Sequence, residues 1–224
     1  MNSVGLIAPV SALVVFGLVY LPAAKYFFPS SGWIRMPFSP QVFFLLASIV
    51  ILRRKRIGSR KIGLSGEKIG RRIGLGLLIG LSPVAVTLLL VFLMTWVDSI
   101  WPFLSKPLWG GGPLRSTLTT SDLVTLIVLA PICEELFFRG ILLRGLRESY
   151  PAWIAVAGSA LIFMGGHGWL ALGPLVLGIV NGIVVLRTGS LIPGIVFHAI
   201  ANAYGPVMIR WFPNLYDYLS FFYR

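Results

Sequence analysis

The chain has 224 residues, of which 57% are hydrophobic and 12% charged, and its mean hydropathy is +0.88. Soluble domains carry roughly 25% charged residues, so a soluble enzyme is excluded and a polytopic membrane protein of one domain is indicated. The net charge of +12 does not point to nucleic acid, because nine of the nineteen Lys and Arg residues fall in one block, Arg53 to Arg72, between apolar runs. Such a block is expected to stay on the cytoplasmic side and to meet anionic lipid headgroups. The single Cys133 excludes an internal disulfide and a multi-cysteine metal site.

In chain order, apolar runs predict an all-α transmembrane bundle with about seven spans, at 4–22, 37–52, 73–97, 121–143, 151–166, 169–187 and 190–209. The first run lacks a basic start, so it reads as an uncleaved span rather than a signal peptide. With the 53–72 loop inside, the cytoplasmic side collects thirteen basic residues and the other side six. That bias orients the N-terminus to the cytoplasm and the C-terminus outward. The Gly- and Pro-rich stretch 105–122 then lies outside, and Ser121 or Asp122 is expected to cap the fourth helix. The aromatic ending 211–224 is too short for another span and reads as an interfacial tail.

Five polar side chains interrupt these runs: Glu134, Glu135, His167, His198 and Asn202, with Arg139 nearer the cytoplasmic end. Insertion of an ionisable residue costs about 2.5–3.5 kcal/mol even on the lenient scale, so each needs a structural or chemical reason. Glu135 and Arg139 are four apart and share a helix face as a structural pair. Glu134 lies about 140° around the helix from Arg139, which leaves it as the candidate general base. His198 and Asn202 also share a face; Asn alone would read as helix–helix glue. His167 follows Gly165 and Gly166 and, alone, would read as a helix-end residue.

Counted back from Arg144 and Gly189, Glu134 and His198 lie at similar depths, about 15 and 14 Å in. Counted from Pro151, His167 lies about 24 Å in. Segment 144–152 dips inward, the glycines fold the chain back, or the span boundaries differ.

A carboxylate, two imidazoles and a carboxamide are the parts needed for amide hydrolysis by water: a base, a proton donor and oxyanion donors. Serine chemistry lacks a Gly-x-Ser-x-Gly stretch and a base for Ser159. Zinc on Glu134, His167 and His198 is the minority alternative, without a His-Glu-x-x-His signature.

Three motifs in order, Glu134-Glu135-x-x-x-Arg139, Phe163-x-x-x-His167 and His198-x-x-x-Asn202, resemble those of the CPBP (CAAX protease and bacteriocin-processing, or Abi) family of intramembrane glutamic endopeptidases, including the type II CAAX prenyl endopeptidases. The resemblance covers about 120–205. It implies that Glu134 activates water with His167 as partner, that His198 and Asn202 stabilise the oxyanion, and that Glu135, Arg139 and Phe163 support the site, without a cofactor.

It also implies a membrane-anchored protein or peptide substrate, prenylated or bearing a C-terminal sorting tail, and a multi-pass location in a prokaryotic cell membrane. The expected organisation is an N-terminal transmembrane region 1–120, a catalytic core 121–210 and the tail 211–224. The alternative is a non-catalytic membrane protein, such as a bacteriocin-immunity factor or a proton-coupled carrier. The carrier version should show inverted halves, and no such symmetry is visible in the sequence.

Overall fold

The computed structural model describes residues 3–27, 40–101, 119–167, 172–212 and 214, and among these there are helices and no strands. Helix α1 runs through Ile7–Val15, a π-helical turn Phe16–Tyr20 and Leu21–Phe27; α2 is Pro40–Lys55 and α3 Ile69–Ile100. Helix α4 is continuous through Thr120–Val124, a π-helical turn Thr125–Leu129, Ala130–Glu135, a π-helical stretch Leu136–Leu142 and Leu143–Ser149. Helices α5 (Ala152–His167), α6 (Leu172–Thr188) and α7 (Ile192–Trp211) complete the bundle. Each of the seven apolar runs corresponds to one helix. Most of the loop at 105–122 and nearly all of the tail at 211–224 lie outside the described residues.

Helix α1 runs on to Phe27 rather than 22 and α3 spans Ile69–Ile100 rather than 73–97; two boundaries of α4 differ as well. Thr119 caps α4, rather than Ser121 or Asp122: its side chain accepts from the Asp122 N–H while the Asp122 carboxylate accepts from the Thr119 N–H. Helix α4 also continues six residues past the expected end at 143, because its charged last turn still consists of good helix formers and ends only at extended Tyr150, before Pro151. Hydropathy alone stops where charge begins, although the helix does not.

Among the described residues, α3 alone is both long and apolar enough to cross a bilayer by those two measures, with a mean hydropathy of 2.6 over its best window and only 11% of that window buried. Leu78, Val86, Leu89 and Phe92 stand exposed along it. An apolar helix left this bare is stable in lipid rather than water.

Small residues set how closely the helices approach. A Cβ on Gly76 would lie 2.6 Å from the Pro193 carbonyl oxygen, and one on Gly80 would lie 2.5 Å from the Ile200 side chain, so α3 and α7 meet almost backbone to backbone. Gly178 and Gly182 repeat the device for α6 against Ala160 and Val156 of α5. On the other flank, rings join α1, α2 and α4: Phe16 to Phe44 at 4.8 Å and Phe44 to Phe137 at 4.9 Å. These contacts form the core around Phe137, Phe138, Ile141 and Leu142.

One end of the bundle is tied by polar contacts. The Glu148 carboxylate accepts from the Val4 and Gly5 N–H groups at 2.8 and 2.9 Å. The Leu191 N–H donates to the Gly63 carbonyl at 3.0 Å, and Arg144 Nη2 donates to Gly189 O at 3.3 Å. Gly63 has φ +88°, and a Cβ there would strike Gly189 O at 2.6 Å, so only glycine fits this close approach.

Gly76→Leu should destabilise the protein by about 1–3 kcal/mol through overpacking against α7. Gly74→Leu, where a Cβ would meet nothing within 4 Å, should not lower the detergent melting midpoint. Equal midpoints for the two variants would contradict this helix contact.

Candidate active site

The polar residues converge where α4, α5 and α7 meet. Glu135 and Arg139, both fully buried, pair across one turn with Arg139 Nε 3.3 Å from Glu135 Oε2. The turn is π-helical from Leu136 onward, wider than the α spacing assumed from sequence, and the pair still closes. The Arg139 guanidinium also lies 4.4 Å from the Phe163 ring centroid, a cation–π contact that covers its face. Removing such a charge from water is affordable only with this much compensation.

The other Glu135 oxygen, Oε1, lies 2.9 Å from His198 Nδ1. A carboxylate paired with arginine accepts, so Nδ1 carries the hydrogen and Nε2 points away from Glu135. His198 Nε2 lies 3.8 Å from Glu134 Oε2. His167 is arranged in parallel. Its Nδ1 donates to the Phe163 carbonyl at 2.9 Å, and its Nε2 lies 3.9 Å from the same Glu134 Oε2. Phe163 packs between the two imidazoles, with ring centroids 4.5 Å from His167 and 5.7 Å from His198.

The depth problem of His167 has a simple cause. Glu134 lies fifteen residues before Ser149, the end of α4, and His167 lies sixteen residues after Pro151. The two helices are antiparallel, so nearly equal lengths of about 22–24 Å bring the residues level. Arg144 is the right reference for His198, because Arg144 touches Gly189 at the turn before α7. It is the wrong one for His167.

Asn202 follows His198 by one turn of α7. Its Nδ2 donates to the Leu126 carbonyl at 2.8 Å, within the upper π-helical turn of α4, so this hydrogen bond fastens α7 to α4. Ser159 donates to Phe138 O at 3.3 Å and is buried, a helix–helix contact with no base beside it. Cys133 is buried and free.

Two residues escaped the sequence reading. Gln41, in the first turn of α2, donates to Glu134 Oε1 at 3.4 Å. Asn181 of α6 is fully buried, donates to Gly194 O at 3.1 Å and approaches the Glu135 carboxylate. A carboxamide inside the apolar run "GIVNGIVV" was the available signal for Asn181. Nothing in the sequence marked Gln41.

The Glu134 side chain is 8% exposed, whereas the His167 side chain is 38% exposed, so the site opens on the His167 side. Separations of 3.8–3.9 Å exceed a direct hydrogen bond and suit one bridging oxygen between the carboxylate and the ring nitrogens. The three donors are not gathered as a metal-holding group, and no such group occurs among the described residues.

Glu135→Gln should lower stability by about 3–5 kcal/mol, because Arg139 is left buried without its ion-pair partner. Thermal unfolding in detergent tests this; an unshifted midpoint would show that the pair is not structural.

Residues 116–204 match the family model described as type II CAAX prenyl endopeptidase Rce1-like. An uncharacterized 24.3 kDa protein of Escherichia coli is 28% identical over 197 residues, covering 84% of this chain and 83% of that protein. No solved structure matches. The matched segment carries every polar side chain of the site except Gln41, so the part of the chain that builds the site is similar to the type II CAAX prenyl endopeptidase family.

Proposed function

We propose that the protein is an intramembrane endopeptidase in which Glu134 activates water against a peptide bond. One observation carries the reading: Glu134 Oε2 faces two imidazole Nε2 atoms at 3.8 and 3.9 Å, while Glu135 is occupied by Arg139 and His198 Nδ1. The two neighbouring acids thus have different surroundings, the condition for giving them different tasks.

In this mechanism the Glu134 carboxylate takes a proton from the bridging water, and the hydroxide oxygen adds to the scissile carbonyl carbon. Negative charge gathers on the carbonyl oxygen. His198, protonated at Nε2 as an imidazolium, is stabilised by Glu135 through Nδ1 and donates to that oxyanion. Asn202, one turn further along α7, offers the amide hydrogen not given to Leu126. The proton held by Glu134 passes to the leaving amine, directly or through His167, as the C–N bond breaks.

The proposed setting is a bilayer crossed by all seven helices, with the N-terminus in the cytoplasm. Residues 4–5, 57–64, 144–148 and 189–191 share one end of the bundle with the basic block, as that orientation requires. Substrates are membrane-anchored proteins or peptides, prenylated or bearing a hydrophobic C-terminal tail, reaching the site from the His167 side.

Purified protein should cleave a prenylated peptide in lipid vesicles, and Glu134→Gln should lower turnover at least ~10²-fold with an unchanged melting midpoint. Turnover persisting in that folded variant would remove Glu134 as the base. Turnover should survive exhaustive chelation; loss on chelation, restored by zinc, would favour the metal alternative on Glu134, His167 and His198.

A further inference from the structure

A cleft of about 900 Å³ runs between α1 and α2, on the flank away from α5, α6 and α7. Its walls are apolar, with Ala12 and Val15 from α1 and Leu46 and Val50 from α2, and Arg54 and Lys55 close one end. Among the described residues neither cation makes an ion pair or hydrogen bond, whereas Arg60 of the same basic block pairs with Glu67 at 3.4 Å. Glu148, which shares that end of the bundle, accepts from the backbone of Val4 and Gly5. Two exposed positive charges therefore stand over an unfilled apolar furrow.

The length of the furrow is informative. It is lined from Val42 to Lys55, fourteen residues of α2, or about 20 Å. One leaflet contributes half of a ~30 Å hydrocarbon layer, so the furrow accommodates an acyl chain with its headgroup at the cations. Its polarity matters as much. Gln41, beside the far end, touches Glu134. A lipidated substrate cut at Glu134 and laid in this furrow would bring its apolar tail end against Arg54 and Lys55, where a negative charge is wanted.

We propose that this cleft is a binding site for an anionic phospholipid of the cytoplasmic leaflet, its phosphate on Arg54 and Lys55 and one acyl chain between α1 and α2. The proposal rests on the membrane orientation argued above but not on catalysis. Lipid seated here braces α2 against α1, and through the Phe16–Phe44–Phe137 ring contacts it braces α4, which carries both glutamates. The bound molecule is structural rather than substrate.

The test is thermal unfolding of the full chain in detergent after addition of phosphatidylglycerol or phosphatidylcholine of identical chains. Wild type should gain on the order of 5–10 °C from phosphatidylglycerol at about 100 times its Kd, and little from phosphatidylcholine. Arg54→Gln/Lys55→Gln should lose that gain, and Ala47→Trp, which fills the furrow, should lose it with both cations retained. Lys68→Gln/Arg71→Gln, which removes two charges elsewhere in the basic block, should keep it.

An equal loss in the Lys68/Arg71 variant would mean diffuse surface charge and overturn the proposal. A full gain in Ala47→Trp, or in Arg54→Gln/Lys55→Gln, would do the same. Since unfolding rather than cleavage is read, a protein stabilised by lipid yet inert toward peptides would count against the peptidase reading alone.

Discussion

A fully buried guanidinium is the constraint around which the rest of this protein is arranged. Arg139 cannot remain in an apolar interior without an anion, and Glu135 supplies one from the preceding turn of the same helix. The second oxygen of Glu135 holds His198 by Nδ1, which turns the imidazole so that Nε2 faces Glu134. Packing serves the same arrangement. Phe163 lies against Arg139 and both imidazoles, and Gly178 leaves room for Arg139 Nη2, 3.2 Å from where a Cβ would sit.

Seen from this pair, the two acids of α4 diverge because a helix turns. Residue 135 looks toward Arg139, α6 and α7, while residue 134 looks toward α2, α5 and α7. Adjacent side chains of one chemical type thus enter different environments with no long-range device. The cost lies in the helices that must arrive close by, and their glycine contacts allow it. The approach of α3 to α7 through Gly76 and Gly80 is as much a part of the site as the imidazoles are, since it seats the helix bearing His198 and Asn202.

Much of this was legible in the sequence. Seven apolar runs became seven helices, because apolar length is a direct readout of helices buried in lipid or protein. The partition of Glu134 from Glu135 followed from helical spacing alone. What escaped has physical reasons too. The end of α4 was misplaced because hydropathy reports solvent and not hydrogen bonding, and that error alone produced the apparent misfit of His167. The π-helical stretches of α4 leave no mark in composition. Gln41 lies 93 positions from Glu134 and reaches it only through tertiary packing. Asn181 was visible as a carboxamide in an apolar run, but its partners, Gly194 and Glu135, belong to other helices.

The account stands or falls on Glu134 being the group that moves the proton while Glu135 holds the frame. Chemical rescue tests that division most directly: cleavage by Glu134→Ala and by Glu135→Ala, each with and without added formate, a small carboxylate able to enter from the open His167 side. Formate should restore turnover to Glu134→Ala in a saturable manner and leave Glu135→Ala inactive. Restoration of Glu135→Ala, with Glu134→Ala unresponsive, would contradict the assignment.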